Sequence, residues 1–596
     1  MSIPTPGFLL SAFIQVCRRF PGVMLCTVLG TVACFALIDN SGPSDSEEFF
    51  ARNWIVCQLG LPFLTALVVY SESKGWDNNR GWLLQALGFA ALLGCWFWLD
   101  TKADNFEWQI LPQYLALVLV MHLAVAVAPY LNTRSVRDFW EYNRQLFANL
   151  VIGSAFTLIL FAGLALAILA VNNLFGFSIR EQIYAKLFVL LTGIFNTAYF
   201  LFHFPAVTAT ATATHDTSAH NWVFRNLCKY ILIPIVILYF LILYAYGAKI
   251  ALQASLPQGW ISSLVIGFSI AGIFTYLLNF YLAEEDGSLL VKGFKRWFWW
   301  VLIPLTGLLF IAIGKRISDY GVTEERFLVA ELGVWLAASC LYFLVSKNDN
   351  IKFIPISLAL FALVWAFGPL SAFAVSERSQ KGVLIEILTR TGRFENGKMK
   401  PGTIPLTASE RDQLSSTLEY LSKRDALSEL LPITADSLSD DFGGLLDWLR
   451  IESPGLNGNH TINISEFQSH EPLPVRGFDF AFKVELYPGS AVRKDEPGMF
   501  FGLSEDGTQL EWWQIKDGKS GLIEKFSLLP VLENWAAYQD KGENNTYASM
   551  ALSDRTFKFS GQKGTLQWIA ETAQMEIDGT KKRLESSSGW ILLKEK

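Results

Sequence analysis

Apolar runs of about twenty residues recur through the first two-thirds of this chain, and no other feature limits its fold as tightly. A helix needs roughly twenty residues to cross about 30 Å of hydrocarbon. In hydrocarbon a backbone must satisfy its own hydrogen bonds, so helices are the natural spanning form for such runs. Eleven runs qualify: residues 21–38, 52–70, 81–99, 109–131, 148–173, 185–203, 230–250, 261–282, 297–314, 326–346 and 353–375. They predict an α-helical polytopic membrane bundle whose first partner is the lipid bilayer. Residues 7–19 place Phe8, Leu9, Phe13 and Ile14 ahead of Arg18 and Arg19, and predict a short amphipathic helix on the membrane surface. The run from Pro21 is too long for a signal core and lacks a small-x-small cleavage site, so it reads as a retained anchor.

Charge divides the chain in two. Residues 1–376 hold 22 Lys+Arg and 21 Asp+Glu, whereas residues 377–596 hold 26 and 33. The overall 17% charged content falls below the roughly 25% of soluble proteins only because of the first part. Three regions follow: an amphipathic segment 1–20, a transmembrane domain 21–375 and a water-soluble domain 376–596. The seven cysteines end at Cys340, so the soluble domain has no disulfide and stands on its core. Their spacing holds no CxxC pair and implies no metal, and they read as isolated small apolar side chains. No basic stripe with interleaved aromatics points to nucleic acid.

Lys and Arg in the short loops set the orientation. With the N-terminus inside, the inner segments carry 14 of them and the outer segments 8. Eleven crossings then put the C-terminal domain outside the cytoplasm. Trp96, Trp98, Trp108, Trp140, Trp260, Trp297, Trp299 and Trp300 fall near predicted helix ends and read as interfacial anchors.

Polar groups within the spans are few, and each is costly in lipid. His122, Asn196, His203 and Glu331 are the main ones, with Gln58, Gln85, Asn149 and Asn279. They form no acidic run and no arginine ladder, which argues against a voltage sensor or a rotary proton channel. The bland reading gives His122 a bond to a neighbouring helix and Glu331 an ion pair with Arg326 or Arg316. The functional reading gathers them into a polar intramembrane site. Pro234, Pro304 and Pro355 interrupt spans near their inner ends. A threonine-alanine tract, Ala206 to Thr214, leads to His215, Asp216 and His220 in a polar inner loop, a weak pattern for metal.

Several stretches resemble one family, the bacterial DUF4153 membrane proteins. They are RDFWEYNRQLF (Arg137 to Phe147), ILYAYGAKI (Ile242 to Ile250), PQGW (Pro257 to Trp260), RISDYGVTEERF (Arg316 to Phe327) and GPLSAFAVSERSQKGVLIEIL (Gly368 to Leu388). The resemblance implies a bacterial inner-membrane protein with an extracytoplasmic tail, and brings no substrate or catalytic residue. It draws attention to one outer turn that packs Arg316, Asp319, Tyr320, Thr323, Glu324, Glu325 and Arg326 together. Gly321 permits positive φ there, and Thr323 is placed to cap the next helix. This turn is either a salt-bridged connection or, with Glu331, a polar binding site at the outer face.

In the soluble domain, Ser409 to Leu430 and Asp441 to Ile451 have helical apolar spacing. FDFAFKVEL, MFFGLS, QLEWWQI, RTFKFS, GTLQWIA and GWILLKE then read as strands, with turns such as Glu505-Asp506-Gly507. The expectation is an α+β domain with a mainly antiparallel sheet. It carries no GxSxG, HExxH, Walker or dinucleotide motif and implies no cofactor. Adjacent Trp512 and Trp513 must point to opposite faces of a strand. Three functions follow: a non-enzymatic envelope scaffold or sensor whose outer domain binds a protein partner, a transporter or lipid-handling bundle, and an envelope enzyme at the outer turn. Nothing in the residues specifies a substrate or an oligomeric state.

Overall fold

The computed structural model describes residues 6–39, 45–101, 105–132, 135–175, 179–206, 226–253, 260–282, 288–346, 350–402, 406–428, 430–432, 442–449, 451, 459–466, 475, 477–488, 490, 498–516, 519–537, 545–550, 552–578 and 581–595. His215, Asp216, His220, His470 and nearly all of the threonine-alanine tract lie outside them. The chain divides into two compact units, Met1–Val383 and Leu384–Lys596.

The first unit is helical. In order it holds α1 (Pro6–Arg19), α2 (Pro21–Asp39), α3 (Asp45–Ser73), α4 (Asn78–Trp98), α5 (Leu111–Val127), α6 (Val136–Phe175), α7 (Gln182–Leu190) and α8 (Thr197–Phe202). There follow α9 (Ile233–Gln253), α10 (Trp260–Asn279), α11 (Leu289–Tyr320), α12 (Glu324–Val345), α13 (Phe353–Ala366) and α14 (Ala372–Arg390). A π-helical turn, Leu191–Asn196, joins α7 to α8. Among the described residues ten helical stretches are long and apolar enough to cross a membrane, and α13 is a shorter apolar helix.

Contacts join alternate helix ends, as up-and-down packing requires. At one end Arg19 binds Glu72 at 2.8 Å and donates to Phe204 O at 3.0 Å, and Lys352 Nζ donates to Tyr130 O at 3.1 Å. At the other end Gln182 donates to Ile38 O at 3.1 Å, and the Trp98 and Phe367 rings lie 6.3 Å apart. Two apolar cores fill the interior. One gathers Phe20, Leu64, Val69 and Leu92 of the early helices, and the other gathers Phe268, Leu302, Leu309 and Leu336 of the later ones.

Several expectations shift. The eleventh span does not run to residue 375, because α13 stops at Ala366 and Gly368 takes φ 89° before α14 begins. At 1.5 Å per residue, its 14 residues reach only about 21 Å. Conversely α6 has 40 residues and α11 has 32, so both outrun the apolar runs that announced them. Two of the tryptophans, both in these longer helices, are covered by neighbouring helices. Trp140 is buried and donates its indole N–H to Leu277 O at 2.7 Å, and buried Trp299 stacks on Phe343 at 4.5 Å. The cysteines are not all isolated either, since the Cys26 and Cys57 thiols hydrogen-bond between α2 and α3.

The second unit is α+β. Two short strands, β1 (Phe394–Glu395) and β2 (Lys398–Met399), precede helices α15 (Ala408–Ser422) and α16 (Phe442–Trp448). Then come β3 (Asn459–Glu466), β4 (Phe480–Leu486), β5 (Gly498–Leu503), β6 (Gln509–Lys516) and β7 (Lys519–Ser527). Helix α17 (Leu529–Ala536) leads to β8 (Asn545–Met550), β9 (Thr556–Ser560), β10 (Gly564–Asp578) and β11 (Lys581–Glu595). β1 and β2 pair as a two-stranded sheet, a second sheet runs β4-β11-β10-β3-β8 with β9 also on β10, and a third runs β5-β6-β7. All named pairs are antiparallel except β3 with β8. His460 lies in strand β3. Fully buried Trp535 and Trp568 centre the core, 5.6 Å apart. Trp512 lies in that core beside Phe501, while Trp513 points the other way and stacks on Phe500. Gly507, at φ 68°, closes the β5–β6 turn so tightly that a Cβ would stand 2.6 Å from Leu584 O.

Candidate functional site

The polar turn between α11 and α12 is built on Gly321. Helix α11 ends there at φ 72°, a conformation that favours glycine, and Gly321 N bonds to Ile317 O at 2.9 Å. A Cβ at this position would lie 2.9 Å from Val383 Cγ2 and 3.0 Å from Gln380 Nε2. The absent side chain therefore lets α14 come against the turn. Two residues of α14 then bind its backbone. Buried Gln380 donates to Tyr320 O at 3.1 Å and to Val322 O at 2.8 Å, and Val322 N donates to Ser379 Oγ at 2.9 Å. From the other side Arg326 Nη1 donates to Tyr320 O at 3.1 Å and Gly321 O at 2.8 Å, with its guanidinium 5.5 Å from the Tyr320 ring centre.

The remaining candidates of this turn fall around that clamp. Asp319 is exposed and pairs with Lys315 at 3.2 Å, one turn earlier on α11. Arg316 is half-buried beside it. Thr323 occupies the N-cap position of α12 with extended backbone and accepts from Phe327 N at 2.8 Å through its carbonyl, but its side chain makes no cap bond. Glu324 and Glu325 stand in the first turn of α12, where the helix dipole favours acids. Glu331 is half-buried, and among the described residues no ion pair or hydrogen bond to its carboxylate is found. Arg326 is instead spent on backbone carbonyls. The arrangement holds a chain reversal, with Arg326, Ser379 and Gln380 turned to main-chain atoms. Ser379 and Gln380, which do most of the holding, escaped attention in the sequence. The available signal was a pair of polar residues inside the GPLSAFAVSERSQKGVLIEIL stretch.

The intramembrane candidates do not meet in one place. His122 is exposed, with Nδ1 2.8 Å from Val118 O of its own helix. His203 is also exposed, with Nδ1 2.9 Å from Tyr199 O, and its own carbonyl accepts from Asn149 at 2.7 Å. Asn196 lies in the π-helical turn against Gly153 of α6, where a Cβ would be 3.1 Å from its Oδ1. Asn196 and His203 thus share the α6–α8 contact, and His122 stands apart on α5.

A cavity of about 550 Å³ opens between α5, α6, α10, α12 and α13. Its wall is apolar except for Asn143, Arg144 and Ser269; His122, Asn196, His203 and Glu331 do not line it. The RDFWEYNRQLF stretch supplies Phe139, Trp140, Asn143, Arg144 and Phe147 of that wall. Arg144 is buried and binds Glu141 through two nitrogens, with Nε at 2.9 Å. Among the described residues no group of three or more metal-ligating side chains occurs.

The family described as a domain of unknown function, DUF4153, matches residues 22–382, which include the helical bundle, the clamped turn and the cavity. The chain belongs to the DUF4153 family. An uncharacterized protein of Pasteurella multocida, strain Pm70, is 22% identical over 392 residues, covering 65% of this chain and 63% of that relative. The match thus spans somewhat less than two-thirds of the relative's length. No solved structure matches. Membership of DUF4153 agrees with the resemblance read from the residues and with a multi-pass architecture.

Proposed function

We propose that this DUF4153 protein is a non-enzymatic scaffold or sensor of the bacterial inner membrane. In this reading the amphipathic segment 1–20 lies on the cytoplasmic surface and the transmembrane domain is 21–375. The domain 376–596 stands in the periplasm, where it binds a protein partner. One observation carries the reading. Helix α14, which leads the chain out of the bundle, is fastened by Ser379 and Gln380 to the turn between two long membrane helices. Polar residues at an active site face substrate; Arg326, Ser379 and Gln380 bind main chain, as a structural joint requires. The excess of basic residues at the opposite loops supports the orientation.

Reporter fusions at Ser376 and Lys596 test this. An enzyme reporter active only outside the cytoplasm is expected to work at both positions, and a cytoplasmic reporter to fail at both. A deletion strain is expected to show envelope stress that the full chain relieves and a chain truncated at Ser376 does not. Cytoplasmic activity at Lys596, or full relief by the truncated chain, would refute the proposal.

A further inference from the structure

Cys26 of α2 and Cys57 of α3 face each other inside the bundle, and their thiols hydrogen-bond. Two glycines make the meeting possible. A Cβ at Gly60 would stand 2.9 Å from Cys26 Sγ and 3.6 Å from Cys26 Cβ, and a Cβ at Gly30 would stand 3.1 Å from Cys57 Cβ. Gly30 lies four residues beyond Cys26 and Gly60 three beyond Cys57, so each pair shares one helix face. Each helix therefore offers a cysteine and a glycine, and each cysteine rests on the other helix's glycine. Larger side chains at the two glycines would part the helices, and the thiols with them.

The pair lies where water-borne oxidants do not reach. Helix α3 runs from Asp45 to Ser73, and Cys57 stands twelve residues from its start and sixteen from its end, about 18 and 24 Å. Cys26 is 4% exposed and Cys57 is half-buried. An oxidant dissolved in hydrocarbon can meet Cys57 from the side of the helix; an aqueous disulfide cannot. A disulfide holds its sulfurs about 2.05 Å apart, so thiols already in hydrogen-bond contact need a further approach on the order of 1–2 Å. Helices shift by about that much at interfaces that switch, so the folded bundle can close the bond.

We infer that Cys26 and Cys57 form a redox switch within the membrane, closed by a lipid-soluble quinone. One S–S bond forms and two S–H bonds break. The two electrons and two protons pass to the quinone, which leaves as the quinol. The bond ties α2 to α3, which the reduced pair joins only by packing and a thiol hydrogen bond. The switch goes beyond the scaffold or sensor reading and does not depend on it, because it needs neither the C-terminal domain nor its sidedness.

The test uses the purified full chain in phosphatidylcholine nanodiscs, reduced and then given either a lipid-soluble benzoquinone or oxidised glutathione. Free thiols are alkylated under denaturing conditions, and linked peptides are mapped by mass spectrometry. The quinone is expected to give a Cys26–Cys57 link about tenfold faster than glutathione does. One quinol should form per link, and dithiothreitol should reverse the link. The linked chain should melt at a higher temperature than the reduced chain. Cys57→Ser should lose the link, the quinol and the rise in melting temperature; a monodisperse elution shows that it has folded, and Cys26→Ala replaces it if it has not. Cys340→Ser, at a buried cysteine of α12, should keep all three. The absence of a link with the quinone, a link from Cys57 to Cys34 instead, or undiminished quinol in Cys57→Ser overturns the pair. Equal rates with the two oxidants overturn the lipid-soluble oxidant. A linked chain that melts no higher than the reduced one overturns the switch.

Discussion

Gln380 shows how much one side chain settles at the outer turn. Its amide is buried and holds two carbonyls, Tyr320 O at the end of α11, which has no helical partner, and Val322 O just beyond it. Removing a partner from a buried polar group costs about 1–3 kcal/mol. Gln380→Ala is therefore expected to lower thermal stability of the purified full chain by that amount, whereas Glu325→Ala, at an exposed position one residue from Arg326, should leave it nearly unchanged. Equal melting of Gln380→Ala and the wild-type chain would contradict the clamp. Glu331 is the contrasting case. Proximity in sequence to Arg326 suggested an ion pair, but Arg326 turns back to the carbonyls of Tyr320 and Gly321. A guanidinium can choose between a carboxylate and a pair of carbonyls, and only the backbone path of the turn decides which is in reach.

Element ends were partly readable and partly not. Helix α15 begins with a capping box: Glu410 N donates to Thr407 Oγ1 at 3.3 Å and Thr407 N donates to Glu410 Oε2 at 2.9 Å. The bond from the Thr407 backbone holds the Glu410 carboxyl below its ordinary range, with the Thr407 hydroxyl adding to it. A carboxyl depressed on folding stabilises the folded form above its unfolded pKa, and that contribution is lost as pH falls through the lowered value. Thr407→Ala is expected to speed amide exchange in the first turn of α15 about fivefold at neutral pH. That ratio should fall in acid, as the wild-type bond from the Thr407 hydroxyl to the Glu410 carboxylate weakens, but stay above one, because Thr407 Oγ1 still accepts from Glu410 N. A ratio that stays constant with pH would exclude the carboxylate's part. By contrast the ends of α6 and α11 were hidden, because helical hydrogen bonding continues past the edge of an apolar run wherever another helix offers cover. Strands β3, β7 and β8 were missed: β3 alternates only briefly, around Ile462 and Ile464, β7 and β8 lack clear alternation, and pairing with β10, β6 and β3 makes them strands.

At the scale of the molecule, the outward face of the first unit is apolar. Leu158, Ile159, Leu166 and Leu169 on α6 are all exposed, as are Ile235, Leu238 and Leu241 on α9. Such a belt fits a bilayer and would be aggregation-prone in water. Ile159→Arg, which puts a charge on the middle of that belt, is expected to oppose insertion by about 2.5–3.5 kcal/mol. Carbonate extraction of membranes reads this as a larger soluble or degraded fraction. Asp77→Arg, at an exposed helix end, should insert normally. Equal insertion of the two variants would show that residue 159 does not face lipid.

Hydropathy alone determined the membrane bundle and its succession of apolar stretches, because burial in hydrocarbon acts on each twenty-residue run without reference to its neighbours; the α+β domain was read from helical spacing and strand alternation. The family, too, was legible in short local stretches. The site was legible only in outline: Gly321 and Arg326 stood out, but Ser379 and Gln380 lie more than fifty residues away in sequence and reach the turn only through packing. The same holds for the cavity, whose wall draws on five helices, and for the scattering of His122, Asn196 and His203. A polar residue's partner is set by which helices touch and at what rotation, and that is decided by side-chain packing across the whole bundle.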